Sequence, residues 1–321
     1  MQNGSDIIRW YLRSYPELNN TIISRTIAVH HPQLYKDVEV IRRKVREIIS
    51  NEPEFVNRTD TRTLSNFPEP NEANQVKTFV MKEGNKNILV IADFHMPYYS
   101  RDAVELALEY AKKHDIDTIL ILGDLLDFYS ISRFLVNPLQ RDLAMELNSA
   151  KDFLLELRRE FPSSDIYYKL GNHEFWWERY LWTNAPLLIG VREFELKNVL
   201  ELDKLDIVVI PDKSDIRITE NLSAIHGHEI MGGSTINPAH ALYRKFKENV
   251  LCGHFHKPSH FSTKTGTGKI KGAWSIGCMS LLRPEFMPIN EWLNGFAHVR
   301  TEGDEFSVEN FQIINSKVYH A

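Results

Sequence analysis

Five short apolar runs in this chain each end in the same chemistry. Ile88–Ala92 leads into Asp93-Phe94-His95, and Thr118–Leu122 into Gly123-Asp124-Leu125-Leu126-Asp127. Ile166–Leu170 leads into Gly171-Asn172-His173-Glu174, Leu222–Ile225 into His226-Gly227-His228, and Val250–Cys252 into Gly253-His254-Phe255-His256. Apolar runs this short, bounded by glycine or polar residues, read as buried strands. Asp, Asn and His are the side chains that ligate hard or borderline divalent metals. Ligands at i and i+2 beyond a strand end point the same way, so Asp93/His95 and His254/His256 can each converge on one cavity. The neighbouring glycines allow tight turns and close approach of backbone to an ion.

The rest of the chain supplies the frame for those ends. Strand-like runs at Thr78–Met81, Asn87–Ala92, Thr118–Leu122, Ile166–Lys169, Ile207–Ile210, Leu222–Ile225 and Asn249–Cys252 alternate with helical patterns at Asp102–His114 and Leu143–Glu160. That alternation predicts an α/β domain over 77–321. Further strands at Lys269–Ile276, Gly295–Arg300 and Ser307–Ile313 make its sheets mixed. Ahead of it, residues 1–50 read as three helices. Ile7, Ile8, Tyr11, Leu12 and Tyr15 repeat at helix spacing until Pro16, and Thr21–His31 is closed by Pro32. Asp37 caps a third, with an apolar stripe of Val38, Ile41, Val45 and Ile48. Residues 51–76, rich in Asn, Glu, Pro and Thr, predict a linker or extended arm.

Composition narrows the class. The 321 residues are 43% hydrophobic and 25% charged, which suits a globular protein rather than a disordered one. No apolar run approaches the ~18 residues of a membrane span. Asp6, Arg9, Arg13 and Glu17 break up the first twenty residues, so no secretory signal is expected. Two cysteines exclude a disulfide framework and predict a reducing, cytoplasmic setting.

The five motifs, in this order, resemble the pattern of the calcineurin-like metallophosphoesterase family: D-x-H, G-D-x-x-D, G-N-H-[ED], a strand-end His, and G-H-x-H. Every position is filled, over roughly residues 87–256. Phe128-Tyr129-Ser130, the stretch from His226 to Asn237-Pro238, and Gly272-Ala273-Trp274-Ser275 are further similar to enzymes of this family carried by bacteriophages. The resemblance implies a four-layer sandwich, two mixed β-sheets flanked by helices, and a site for two divalent ions. Asp93, His95 and His256 are implied as ligands of one metal, Asn172, His226 and His254 of the other, with Asp124 bridging. Oxygen and imidazole ligands without thiolate fit Mn or Fe, with Zn or Ni as alternatives.

Two divalent ions ~3.5–4 Å apart lower the pKa of a bridging water and neutralise phosphoryl oxygens. The expected chemistry is therefore phosphate-ester hydrolysis by a metal-bridging hydroxide. His173, next to Asn172 and not a ligand in the family, is the candidate proton donor to the leaving oxygen, with Asp127 holding its tautomer or charge state. His228 touches either the substrate phosphate or neighbouring ligands. The protein phosphatases of this superfamily follow their second motif with Arg-Gly, whereas Asp127 is followed by Phe128-Tyr129. That shifts the expectation to a phosphodiesterase or nuclease acting on DNA or RNA. A phosphomonoesterase on nucleotides or nucleic-acid ends, and an inactive binding protein on the same fold, are the alternatives.

The formal net charge of −5 hides two basic stretches. Residues 230–284 hold eight Lys and Arg against Glu248 alone, and Lys264–Lys271 reads as a hairpin beside the last motif, so a basic wall for a polyanion is expected there. Trp176 and Trp177 either stack a base or pack the core. Residues 1–50 carry Arg9, Arg13, Arg25, Lys36, Arg42, Arg43, Lys44 and Arg46 against five acids, a helix-turn-helix-like arrangement that could sit on DNA phosphates.

Overall fold

In the computed structural model the chain divides into two compact units, Met1–Asn74 and Gln75–Ala321. The structure describes residues 3–35, 37–56, 75–84, 86–230 and 236–321. Most of the expected linker, 57–74, lies outside the described residues, as does 231–235 within the stretch similar to phage enzymes.

The first unit contains α1 (Gly4–Ser14), α2 (Asn20–His30), α3 (Val38–Asn51) and α4 (Pro53–Val56). Asn3, Asn19 and Asp37 cap the first three by accepting N–H groups that a helix start leaves unpaired. The apolar stripes meet in a core of Ile8, Leu12, Ile23, Ile27, Ile41, Val45 and Phe55. Arg9 pairs with Glu52 at 2.8 Å and Arg13 with Glu54 at 2.6 Å, so α1 spends both arginines on the chain that follows α3.

The second unit runs β1 (Phe79–Val80), β2 (Asn87–Ile91), α5 (Arg101–Lys113), β3 (Thr118–Leu122), α6 (Leu143–Glu160), β4 (Asp165–Lys169), α7 (Glu174–Asn184), α8 (Leu196–Val199), β5 (Ile207–Ile210), β6 (Ile216–Thr219) and β7 (Leu222–Ile225). It continues with α9 (Pro238–Phe246), β8 (Val250–Cys252), β9 (Ser259–Lys264), β10 (Ile270–Ser275), β11 (Asn294–Glu302), β12 (Glu305–Ile314) and β13 (Lys317–His320). Among the described residues these form two sheets, ordered β13-β12-β11-β2-β3-β4-β5 and β1-β6-β7-β8-β10-β9. Both are mixed: β2 to β5 are parallel while β11 is antiparallel to β2, and β7, β8 and β10 are parallel while β9 is antiparallel to β10.

Period-2 alternation sorts the strand residues into layers. Ile88, Val90, Leu120 and Leu122 face the second sheet, meeting Ala224, Leu251 and Ile276. Their sequence neighbours Leu89, Ile91, Ile119 and Ile121 face outward onto Val104 and Ala107 of α5 and Ala150 and Leu154 of α6. On the far side, Ile225, Val250 and Cys252 pack under Ala239 and Leu242 of α9. The result is helix, sheet, sheet, helix, the four-layer sandwich expected. The strands expected at Thr118–Leu122, Ile207–Ile210 and Leu222–Ile225 have those bounds, while β6, β9, β13, α7, α8 and α9 are additional, as is α4, whose Phe55 packs into the first unit's core where a linker was expected. No helix among the described residues is long and apolar enough to cross a membrane.

Leu120 is wholly buried between the sheets. Leu120→Ala should cost about 2–5 kcal/mol of stability, read from the urea midpoint at unchanged m-value.

Candidate metal centre

The strand ends reach the site through backbone in the left-handed region. Asp93 and His95 have φ of 58° and 52°, Asp124 50°, His254 67° and His256 54°. This conformation is uncommon outside glycine, is best tolerated by Asp, Asn and His, and costs on the order of 1–3 kcal/mol per residue. The i, i+2 pairs therefore turn at both members instead of continuing as straight strand, and Phe94 is buried against Phe153 between Asp93 and His95.

Three groups of side chains bring potential ligand atoms within 4.8 Å of one another: Asp93 with His95 and His256, Asp124 with His226 and His254, and His95 with Asp127 and His173. Thus His254 and His256, two residues apart, serve different groups. His256 Nε2 lies 3.3 Å from Asp93 Oδ1 and 3.2 Å from His95 Nε2. His226 Nε2 lies 3.1 Å from Asp124 Oδ2 and 3.9 Å from Asp93 Oδ1. The rings are aimed from behind. His226 Nδ1 donates to the Leu122 carbonyl at 2.7 Å and His95 Nδ1 to Asp127 Oδ1 at 2.8 Å, which leaves each Nε2 lone pair pointing inward. Asn172 Oδ1 is buried with no hydrogen-bond partner, and the buried Asp93 Oδ1 and His226 Nε2 face only other members of the group. His228 lies next to this group, its Nδ1 3.5 Å from Glu229 and its ring 5.4 Å from that of His226.

The electrostatics follow from two buried carboxylates. Burial works to raise both Asp93 and Asp124, but His256 and His226 outweigh it, and each ends below the usual carboxylate range. Burial likewise works to lower His226, but Asp124 and Asp93 raise it to about 9. His254, with no carboxylate so close, is pushed by burial down to about 3. Burial also lowers His173 and His228. The donor set fits divalent cations: anionic oxygen and aimed imidazole nitrogen, buried, with thiolate absent among the grouped residues.

Sequence reasoning missed two supporting features. Glu174, buried on α7, accepts the N–H groups of Asp124 (3.0 Å), Leu126 (3.0 Å) and Gly171 (2.7 Å), tying two motif loops together. The glycines between them leave room that a side chain would fill: a Cβ on Gly171 would stand 2.2 Å from Asp124 Oδ1. Lys169, wholly buried at the end of β4, pairs with Glu229 at 2.9 Å and donates to the Asp212 carbonyl at 2.5 Å. Glu229 also accepts the Gly227 N–H at 2.7 Å, so the pair fixes the turn that carries His226 and His228. Burial opposes this carboxylate's charge, but Lys169 overcomes it and holds the pKa at about 2.

Asp127 reaches His173 through its main chain rather than its carboxylate. Its carboxylate goes to His95, and its backbone carbonyl accepts from His173 Nδ1 at 2.6 Å, with Oδ1 3.8 Å away. Trp176 stacks on His173 with ring centroids 4.1 Å apart, while Trp177 packs on Phe128 and donates its indole N–H to the Phe194 carbonyl. The basic wall does not form. β10 is parallel to β8 with Ser275 opposite Cys252, so Ser275 is at the ligand end and Ile270 at the other. β9 pairs antiparallel with Lys264 opposite Ile270, which puts Lys264, Lys269 and Lys271 at the far end of the sheet. Lys257 follows His256 directly but pairs with Glu291 at 2.5 Å. A cavity of about 510 Å³ opens beside His95 and Asp127, and the arginine lining it is Arg283, which has no carboxylate partner among the described residues. The only earlier sign of it was its place in the basic stretch.

Two mixed sheets with helices outside, and Asp, Asn and His side chains gathered where strands of both sheets end, define a phosphoesterase-type sandwich with a candidate metal centre. A family model described as calcineurin-like phosphoesterase matches residues 86–268, and the chain belongs to that family. The Gene 54 protein of Mycobacterium phage L5 is 24% identical over 249 residues, covering 73% of this chain and 96% of its own. The Gene 54 protein of Mycobacterium phage D29 is 23% identical over 248 residues with the same coverage. Among solved structures, Vps29 from Cryptosporidium parvum matches with a TM-score of 0.43 and 15% identity, over 74% of this chain and 95% of its own.

Lys169→Met leaves Glu229 buried without its cation and should destabilise the metal-free protein by about 3–5 kcal/mol, with Lys169→Met/Glu229→Gln recovering most of it in urea unfolding. Because the Glu229 pKa is depressed from 4.5 to about 2, its stabilisation is complete above about pH 4.5 and is lost as pH falls toward 2. Acid titration of Glu229→Gln should show a correspondingly weaker loss across that window.

Proposed function

We propose that this chain is a metal-dependent phosphoric ester hydrolase acting on phosphodiesters of nucleic acid or its fragments. The observation that carries the reading is the pair of buried carboxylates, Asp93 and Asp124, faced by aimed imidazoles, together with Asn172 Oδ1 buried without a hydrogen-bond partner. Such charges are costly to bury unless cations face them. Asp93, His95 and His256 would hold one divalent ion, and Asn172, His226 and His254 a second, with Asp124 between the two. Mn or Fe suits the donors, with Zn or Ni as alternatives. When bound, the ions offset charge on the phosphoryl oxygens and supply a nucleophile from water at neutral pH.

The remaining work falls to the chain's own groups. The Asp127 carbonyl fixes the proton of His173 on Nδ1 and turns Nε2 toward Asp124, 3.9 Å from Oδ2. Burial disfavours the charged imidazole, and an arriving anionic phosphate favours it, so Nε2 takes up a proton from solvent with the substrate and passes it to the leaving oxygen. Arg283 at the cavity would bind a non-bridging phosphate oxygen, and His228 would lie beside the phosphate. Phe128 occupies the place of a phosphatase arginine and is buried against Trp177, which favours diesters. Arg283 is the observation that favours the monoester alternative. Cys252 and Cys278 are buried free thiols, as suits a reducing cytoplasm.

Chelation followed by Mn reconstitution tests the reading. Stoichiometric metal uptake with turnover of bis-p-nitrophenyl phosphate above p-nitrophenyl phosphate is expected, and no uptake with no turnover would discard it. His173→Ala should keep its metal and lose about 10²–10⁴-fold on alkyl esters but far less on aryl esters, whose leaving groups need little protonation. Equal losses on both would remove His173 from the acid role. For the helical unit we propose phosphate contact through Arg43 and Arg46, both exposed on α3. Deleting residues 1–50 should spare aryl-ester turnover and weaken DNA binding at low salt; binding unchanged across a salt series would reject the contact.

A further inference from the structure

The cavity beside His95 and Asp127 is built for more than phosphate. Its walls include Tyr98, Tyr129, Phe286 and Trp292. Trp292 connects it to the metal centre, with its ring centroid 4.2 Å from that of His256 and 6.1 Å from that of Phe286. Tyr98 and Tyr129 of the same lining meet edge to face at 6.5 Å. The volume of about 510 Å³ falls in the ~300–1,000 Å³ of sites that enclose a small organic ligand.

Polar groups punctuate the aromatic lining. Gln140, Arg283 and Glu285 line it beside the rings. Gln140 spends its carbonyl oxygen on the Tyr129 hydroxyl at 3.0 Å, which leaves its amide NH₂ for a ligand. A plain hydrocarbon would offer that amide no acceptor. A flat heteroaromatic ring would stack on the aromatic walls and supply one.

We infer that this cavity seats a nucleobase, so that the ester taken by the metal centre carries a nucleoside beside the scissile phosphate. The inference rests on the phosphoesterase reading above and names its substrate class. The base reaches the cavity from a free nucleotide or from an unpaired strand end. A base held in a duplex is stacked and paired, and would have to leave the helix to enter.

The test compares two diesters with the same leaving group, using the full-length Mn-loaded protein: p-nitrophenyl thymidine 5′-phosphate and methyl p-nitrophenyl phosphate. The nucleoside ester should show kcat/KM about tenfold higher or more, carried mainly by KM. Phe286→Ala, at a well-exposed loop position, should bring that ratio toward one, and equal kcat/KM for the two esters in the wild type would overturn the proposal. If neither ester is turned over, the hydrolase reading fails, and calorimetry with thymidine 5′-monophosphate against deoxyribose 5-phosphate then decides the cavity by itself. Tighter binding of the nucleotide, weakened by Phe286→Ala, supports the seat; equal binding overturns it. Competition separates the sources: stronger inhibition by thymidine 5′-monophosphate assigns a free nucleotide, and stronger inhibition by oligothymidylate a strand end. Strongest inhibition by a blunt duplex overturns the proposal.

Discussion

Two buried carboxylates set the terms for everything near the centre of this protein. Asp93 and Asp124 are almost completely buried at the ends of adjacent parallel strands, and His256, His226 and His254 come from the other sheet to face them. The sheets can pack face to face along Val90, Leu122 and Leu251 only because their open ends meet in compensating chemistry. An apolar side chain in place of either carboxylate would take from a buried imidazole its nearest anionic oxygen. The apolar interface and the polar end thus form one design.

Holding that arrangement requires backbone that ordinary packing would avoid. Five of the grouped residues adopt left-handed φ, and the surrounding structure must over-determine them. Glu174 binds three N–H groups across two loops, and the Lys169–Glu229 pair pins the third. They are buried polar groups satisfied among themselves, and their value lies in making one loop geometry cheaper than its competitors.

Much of this was legible in the sequence because the strands that matter are buried on both faces and read as unbroken apolar runs, such as Thr118-Ile119-Leu120-Ile121-Leu122. What they lead into was legible for the same reason, since a polar residue directly after such a run has nowhere to go but the rim. The edge strand β9 escaped notice because its half-exposed SHFSTK carries one large apolar residue, Phe261. Helix α7 escaped because its aromatic residues lie all around it: Trp177 is buried, while Trp182 is half exposed. The basic hairpin misled because proximity along the chain was taken for proximity in space, and a six-residue strand carries its far end ~20 Å away. Arg283 and Trp292 come from a long connection before β11 whose course no local pattern specifies.

Asp127 offers a different kind of consequence. It orients one histidine with its side chain and another with its main chain. The first instruction is written in the genetic code at that codon and can be erased by a single base change. The second is written in the path of the polypeptide, and survives any residue at that position that keeps the turn. His95 and His173 are therefore separable by mutation at one site, although both lean on the same residue.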